Sequence, residues 1–267
     1  MAEVETWHHG LVARWWAEFN RDGPEVAWFR GFVEQHGEPA LDVGCGTGRL
    51  LLPLARAGLD IDGIDVSGDM LAYCRNRAQD EGLEPGLTQQ PMHRLNLERR
   101  YRTIFACGSF GLGGTWTLAR EALRRFRRHL RPGGAVAIDL PGAVAAGTWR
   151  AWAERQVGKV PRPWPREGER KTAGDGSVLE LRSRLADIDP EAQTQTVEIR
   201  VELSRDGALV EADQYSLLQL IYAEDQLAGL LEEVGFGDVS AVDGYELPNP
   251  KGGTQAVRIL TGRRCTS

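Results

Sequence analysis

Apolar and polar positions are spaced in three ways along this chain, and each spacing predicts a different element. Near the start, Trp7, Leu11, Trp15 and Phe19 recur every four residues, which places them on one face of a helix over 7–20. A second helix is predicted over 24–36, where Pro24 after Asp22-Gly23 suits a helix start. Ala40 to Val43 is a short unbroken apolar run, the pattern of a strand buried in a parallel sheet. Short runs and helical stretches then alternate: a helix over Arg49–Ala57, a strand over Leu59–Ile64, a helix over 67–80 and a weak strand over Leu87–Gln90. A strand over Arg102–Cys107, a helix over 116–131 and a strand over Ala135–Leu140 complete this half. In the last helix Leu118, Ala122, Leu123, Phe126 and Leu130 form an apolar stripe, so its six arginines mark the wet face. Strands alternating with helices predict a doubly wound α/β fold.

After Pro141 the period changes. A helix is predicted over 146–157, and Lys159–Gly176, rich in proline, glycine and charge, reads as a mobile loop. Three period-two runs follow. Leu179, Leu181, Ser183 and Leu185 form one, Val197, Ile199, Val201 and Leu203 the second, and Leu218, Leu220 and Tyr222 the third. They predict an antiparallel meander with one dry face, turning at Asp189-Pro190 and Asp206-Gly207. A helix over 223–235 and strands over Val239–Val242 and Ala256–Thr261 return to the first pattern. The expected divisions are therefore 1–140, an insertion over 141–222, and 223–267.

The chemistry concentrates after the first strand, in Gly44-Cys45-Gly46-Thr47-Gly48. A strand, a glycine turn and a helix let a ligand lie against bare backbone at a helix N-terminus. A dinucleotide fingerprint needs G-x-G-x-x-G, and this spacing is one residue short. Asp42 would repel a diphosphate but suits a ligand carrying an ammonium group. Asp65 stands 17 positions after Gly48, at the end of the second strand, where a carboxylate can accept from two vicinal ribose hydroxyls. The plainer reading makes it an acid beside a helix start capped by Ser67.

Asp42 through Gly48 resembles the first motif of the class I S-adenosylmethionine-dependent methyltransferases. Gly63-Ile64-Asp65-Val66-Ser67 resembles their second motif, and Leu130-Arg131-Pro132-Gly133-Gly134 the turn before their fifth strand. The resemblance covers roughly the first half of the chain. It implies a seven-stranded, mostly parallel Rossmann-like sheet with N-terminal helices and an inserted antiparallel β lid. S-adenosyl-L-methionine is the implied cofactor, with in-line methyl transfer to a nitrogen or oxygen of a small-molecule acceptor. The residues 1–140 then hold the cofactor, 141–222 form the acceptor lid and 223–267 complete the core sheet.

The cofactor residues implied are Asp42, Gly44, Cys45, Gly46, Gly48, Asp65, Val66, Met70, Met92 and Cys107. The acid that many relatives carry after the third strand is replaced here by Pro91, and His93 reads as a loop histidine. On the acceptor side the candidates are Trp15, Ser109, Phe110, Tyr215 and Gln219. His8 and Tyr222 are the catalytic candidates. Of His8 and His9 only one can face inward, since neighbours on a helix point apart.

Composition narrows the remaining choices. The net charge of −6 argues against nucleic acid as the main partner. No run of about 18 apolar residues predicts a membrane span, and the N-terminus lacks a signal-peptide pattern. Cys45, Cys74, Cys107 and Cys265 form no C-x-x-C pair, which suits a reducing cytoplasm. No histidine has metal-ligand spacing with them, so no metal is expected, and the chain is expected as a monomer or homodimer. Two alternatives stay open: a binding module that keeps the cofactor site without methylating, and a nicotinamide-dependent oxidoreductase, which the glycine spacing opposes.

Overall fold

The computed structural model describes residues 6–21, 23–140, 146–248 and 253–265. Asp22 and the expected division at 140/141 touch residues outside these ranges. Helices α1 (Gly10–Phe19) and α2 (Glu25–His36) lead into a seven-stranded sheet. Its parallel strands are β1 (Ala40–Val43), β2 (Ile61–Asp65), β3 (Leu87–Gln89), β4 (Tyr101–Ala106) and β5 (Leu130–Leu140). Helices α3 (Leu51–Arg56), α4 (Gly68–Asp80) and α5 (Trp116–His129) connect them. After α6 (Ala146–Glu154) comes a four-stranded antiparallel sheet, β6 (Glu169–Thr172), β7 (Val178–Asp189), β8 (Thr194–Arg205) and β9 (Ala208–Leu220). Helix α7 (Glu224–Glu233) returns the chain to the first sheet, where β10 (Phe236–Pro248) and β11 (Thr254–Arg264) close the far edge.

The strand order β10-β11-β5-β4-β1-β2-β3 places β1 between β2 and β4. All four β1 residues are buried, as expected of a strand covered on both faces. Leu41, Val43, Ile104 and Phe126 pack on one face, and Phe29, Leu51, Leu71 and Phe105 on the other. Strand order reverses at β1, and the crevice at the carboxyl ends of the strands opens there. The cavity described below occupies that crevice.

Two sequence expectations need correcting. The Pro132-Gly133-Gly134 turn does not separate α5 from a strand starting at Ala135. The helix stops at His129, Leu130 already pairs with Tyr101, and the turn lies in a register shift before Ala135 meets Thr103. The loop expected over 159–176 contains β6, a short edge strand pairing only with β7. Its residues Glu169-Arg170-Lys171-Thr172 are polar, so no period-two apolar signal marked it, and charge is common on an exposed edge.

The lid sheet has the alternation expected of a half-wet sheet. Leu179, Ile199, Val201 and Leu203 are buried, while Arg182, Arg184, Glu198 and Glu202 form ion pairs between them. Asp206 and Gly207 both have positive φ (52° and 79°), the backbone of a two-residue hairpin turn. The third run needs correcting: Leu220 is buried as expected, but so is Leu217 while Leu218 is only half-buried, and Tyr222 lies beyond the strand end. The cause is a crossing with the core. Gly113 donates to Leu218 O at 2.7 Å and Leu220 donates to Gly111 O at 2.9 Å, so the end of β9 pairs with the loop after β4.

Helix α1 joins the two layers. Its first amides are held by carboxylates, Gly10 N–H by Asp69 of α4 at 2.9 Å and Leu11 N–H by Asp213 of β9 at 2.7 Å. Amides at a helix N-terminus lack partners within the helix and carry partial positive charge, so these contacts are favourable. Among the described residues no helix is long and apolar enough to cross a membrane, and no His/Cys/Asp/Glu group is placed to hold a metal ion.

Candidate active site

The glycine bend and Asp65 form one hydrogen-bonded unit. Gly44, Gly46 and Gly48 have φ of 76°, 56° and 85°, where a side chain would be strained. Gly44 and Cys45 both donate to Ile64 O, at 2.7 and 3.0 Å, drawing the bend against the end of β2. Gly46 N–H donates to Asp65 Oδ2 at 2.9 Å, and Ser67 N–H to Asp65 Oδ1 at 2.8 Å. Each carboxylate oxygen thus keeps acceptor capacity for one further donor. Ser67 also caps α4, its Oγ accepting from Met70 N–H at 3.1 Å. The helix cap and the ligand-facing carboxylate are therefore separate residues of one turn.

Burial raises the pKa of Asp65, opposed by the amides of Ser67 and Gly46. Asp42 lies deeper, 2 % exposed. Burial and then the nearby Asp65 carboxylate push its pKa up to about 8. A cation at the mouth of the bend would relieve both groups.

A cavity of about 320 Å³ runs along this edge, at the low end of the range for small-molecule sites. Nine of the expected cofactor residues line it: Asp42, Gly44, Cys45, Gly46, Asp65, Val66, Met70, Met92 and Cys107. Gly48 does not. It lies beneath the bend, where an added Cβ would meet Cys74 Sγ and Leu52 Cγ at 2.7 Å, so its role is packing. At Gly44 a Cβ would sit 2.3 Å from that of Ser109, whose hydroxyl donates to Val43 O at 2.6 Å. Ser109 lines the cavity, and the bend and the loop after β4 close on each other there.

The other acceptor candidates lie elsewhere. Trp15 faces the lid, packed edge-on against Phe19 with the Lys171 ammonium 5.0 Å from its ring. Phe110 belongs to the core cluster against Phe126. Tyr215 packs against His9, and Gln219 accepts from Gln195 Nε2 at 2.9 Å. Tyr222 is half-buried with its hydroxyl donating to Phe110 O at 3.0 Å, and burial of the phenol raises its pKa. It locks the loop after β4 and does not touch the cavity.

His8 does line the cavity. Its Nε2 accepts from the Trp7 indole at 3.0 Å, so the ring proton is on Nδ1, 2.8 Å from Thr6 Oγ1. Burial and then His9 push its pKa down to about 4, leaving a neutral ring at physiological pH. His9 lies 3.8 Å from Asp69, outside the cavity lining.

Trp16, Asn20, Arg49, Leu112 and Leu217, none of them among the candidates, also line the cavity, as does His93, the loop histidine of the sequence reading. Trp16 and Asn20 follow Trp15 and Phe19 by one position, so the strip of α1 beside the apolar stripe was the available signal. Burial, and next Arg94, lowers the pKa of His93, so this second cavity imidazole is also neutral near pH 7. The thiol of Cys107 is pushed up by burial and by Asp139, which makes it a poor nucleophile.

This sheet order, with a buried acid beside a glycine bend, is the architecture of the class I methyltransferases. Residues 40–134 match the family model described as a methyltransferase domain. A sugar N-methyltransferase from Streptoalloteichus sp superposes over 99% of both chains with a TM-score of 0.66 at 19% identity. The dTDP-3-amino-3,6-dideoxy-alpha-D-glucopyranose N,N-dimethyltransferase of Streptomyces fradiae is 33% identical over 147 residues, covering 50% of this chain and 54% of that protein. The dTDP-3-amino-3,4,6-trideoxy-alpha-D-glucopyranose N,N-dimethyltransferase of Streptomyces venezuelae is 30% identical over 151 residues, 55% of this chain and 61% of that protein. The matches thus span little more than half the length of these curated relatives.

Proposed function

We propose that this chain is an S-adenosylmethionine-dependent methyltransferase acting on the amine of a small molecule, with an amino sugar as the leading acceptor class. The observation that carries the reading is the Gly46–Asp65–Ser67 unit on a cavity that Trp16 of α1, Leu112 and Leu217 of the lid also line. The residues fit the cofactor. Asp65 has acceptor capacity left for ribose hydroxyls, Val66, Met70 and Met92 offer apolar contacts for a base, and the bare bend admits close approach. When bound, S-adenosylmethionine supplies a methyl group activated by its sulfonium charge.

The chain's own residues then hold the acceptor and exclude water. Trp16, Leu112 and Leu217 make the acceptor side apolar, and confining both partners in one dry cavity supplies orientation that would otherwise be lost as entropy. A neutral amine attacks through its own lone pair, whereas an alcohol must lose its proton to a base. His8 Nε2 is engaged by Trp7, and no strong base faces the cavity from Tyr222, which favours nitrogen over oxygen. The named relatives act on amino sugars, which supports the same class here.

Incubation with methyl-tritiated cofactor and paired amino and hydroxy sugars tests this reading. Label in the amino member alone supports it. Label only in the hydroxy member overturns nitrogen as the acceptor. Binding of the demethylated cofactor with no transfer to any small molecule favours the binding module, and binding of NAD alone overturns the cofactor.

A further inference from the structure

On the other side of β1 from Asp65, a buried network joins three parts of the chain. Asp139, on β5 and 2 % exposed, accepts from Gly108 N–H at 2.7 Å through Oδ1. Its Oδ2 accepts from Tyr245 O–H of β10 at 2.7 Å and from the Cys107 thiol at 3.3 Å. Arg49 donates to Cys107 Sγ at 3.7 Å and forms an ion pair with the buried Glu25 of α2. None of Asp139, Tyr245 and Glu25 lines the cavity, whereas Arg49, Cys107 and Gly108 do.

The peptide between Cys107 and Gly108 is trans. In a trans peptide the N–H and C=O point in opposite directions. Because the Gly108 N–H points at Asp139, the Cys107 carbonyl points away from it. A carboxylate accepting from the N–H of a peptide also polarises that peptide, making its carbonyl a stronger acceptor. Gly108 has φ of 65°, the left-handed region that a glycine adopts without strain. The orientation comes from Asp139, which Tyr245 holds from a strand at the far edge of the sheet.

We propose that Asp139, braced by Tyr245, is a positioning residue for the amino-acid end of the cofactor, acting through the Cys107–Gly108 peptide to aim and strengthen a carbonyl that receives the ligand's ammonium group. This rests on the S-adenosylmethionine reading above. It ties cofactor affinity to the C-terminal hairpin, which lies outside the 40–134 segment matched by the family model.

The test compares two ligands that share the nucleoside and differ at the amino-acid end. S-adenosylhomocysteine carries the ammonium, and methylthioadenosine lacks it. Titration calorimetry on Asp139→Asn should show S-adenosylhomocysteine weakened about tenfold, as expected for a charge-assisted bond reduced to a neutral one. Methylthioadenosine should change less than about twofold, since its contacts lie at the Asp65 end. Tyr245→Phe should shift the same ratio in the same direction by a smaller factor, and it serves as the readout if Asp139→Asn does not fold. Equal weakening of both ligands would show a merely structural role and overturn the proposal, as would no change in either. If the parent chain binds neither ligand, the cofactor reading itself fails. If it binds both equally well, only the ammonium contact fails.

Discussion

The two walls of the cavity are built on opposite principles. The core wall, at the carboxyl ends of β1 and β2, holds buried carboxylates at Asp42 and Asp65, the second bonded to the amides of Gly46 and Ser67. The apolar part of the lining comes from Trp16 of α1, Leu112 and Leu118, with Leu217 from the lid, while the rest of the lid's apolar face packs on α1 and its charges lie outward in a ladder of arginine–glutamate pairs. Backbone donors are fixed in position, so the core wall can specify a ligand's hydroxyls and charge. An apolar wall excludes water and sets shape, and it tolerates change in what it covers. Under the proposed function, cofactor recognition falls to the core wall and acceptor selection to the apolar side made by Trp16, Leu112 and Leu217.

The largest test of this division lies within one helix. Trp15→Ala should cost about 3–5 kcal/mol of stability, because Trp15 is buried between α1 and the lid, and thermal unfolding would measure it. If Trp15→Ala instead left stability intact and raised the acceptor KM, α1 would be placed wrongly against the lid. Asp65→Ala should weaken S-adenosylhomocysteine about a hundredfold or more by calorimetry, since two charge-assisted bonds are lost and two backbone amides are released. Trp16→Ala, one position from Trp15 but lining the cavity, should raise the acceptor KM about tenfold and leave cofactor affinity unchanged. A matching loss of cofactor affinity would erase the division of labour.

A fourth test uses pH. Asp42 has a folded-state pKa raised to about 8 from an ordinary value of 3.8. The stability conferred by its neutral form is complete below the ordinary value and is lost as pH rises through about 8. Asp42→Asn should therefore raise the ligand-free Tm more at pH 8 than at pH 5, and a uniform shift would contradict the buried-acid account. The smallest effect is expected on the outer lid. Arg184→Ala breaks a pair with Glu198 whose side chains are only about one-fifth exposed, yet it should change Tm by no more than about 2–4 °C. A larger drop would mean that the outer ladder, and not the apolar face, holds the lid together.

The parts of the site legible in the sequence were those made by backbone. Alternating glycines, a strand-end acid and a capping serine act over a few residues, so Gly44, Gly46 and Asp65 could be named from spacing alone. Side chains facing the cavity from outside that stretch were harder to assign. The stripe of Trp7, Leu11 and Trp15 was correctly apolar, but the lid, arriving from more than 150 residues away, takes that face and leaves Trp16 to the cavity. Tyr222 continued an alternation on paper, but the crossing of β9 with the loop after β4 ended it at Leu220.

By itself, then, the chain's order of residues determined the strand–helix alternation, the bend and its acid, and the antiparallel insertion, because each depends on backbone preference and local period. The tertiary structure alone decided which face of α1 meets the cavity, that His8 spends its acceptor nitrogen on Trp7, and that Asp139 and Tyr245 brace the Cys107–Gly108 peptide. Those outcomes depend on which distant surface is nearest once the sheets have packed. Local periodicity carries no record of that, since burial is shared among elements that only folding brings together.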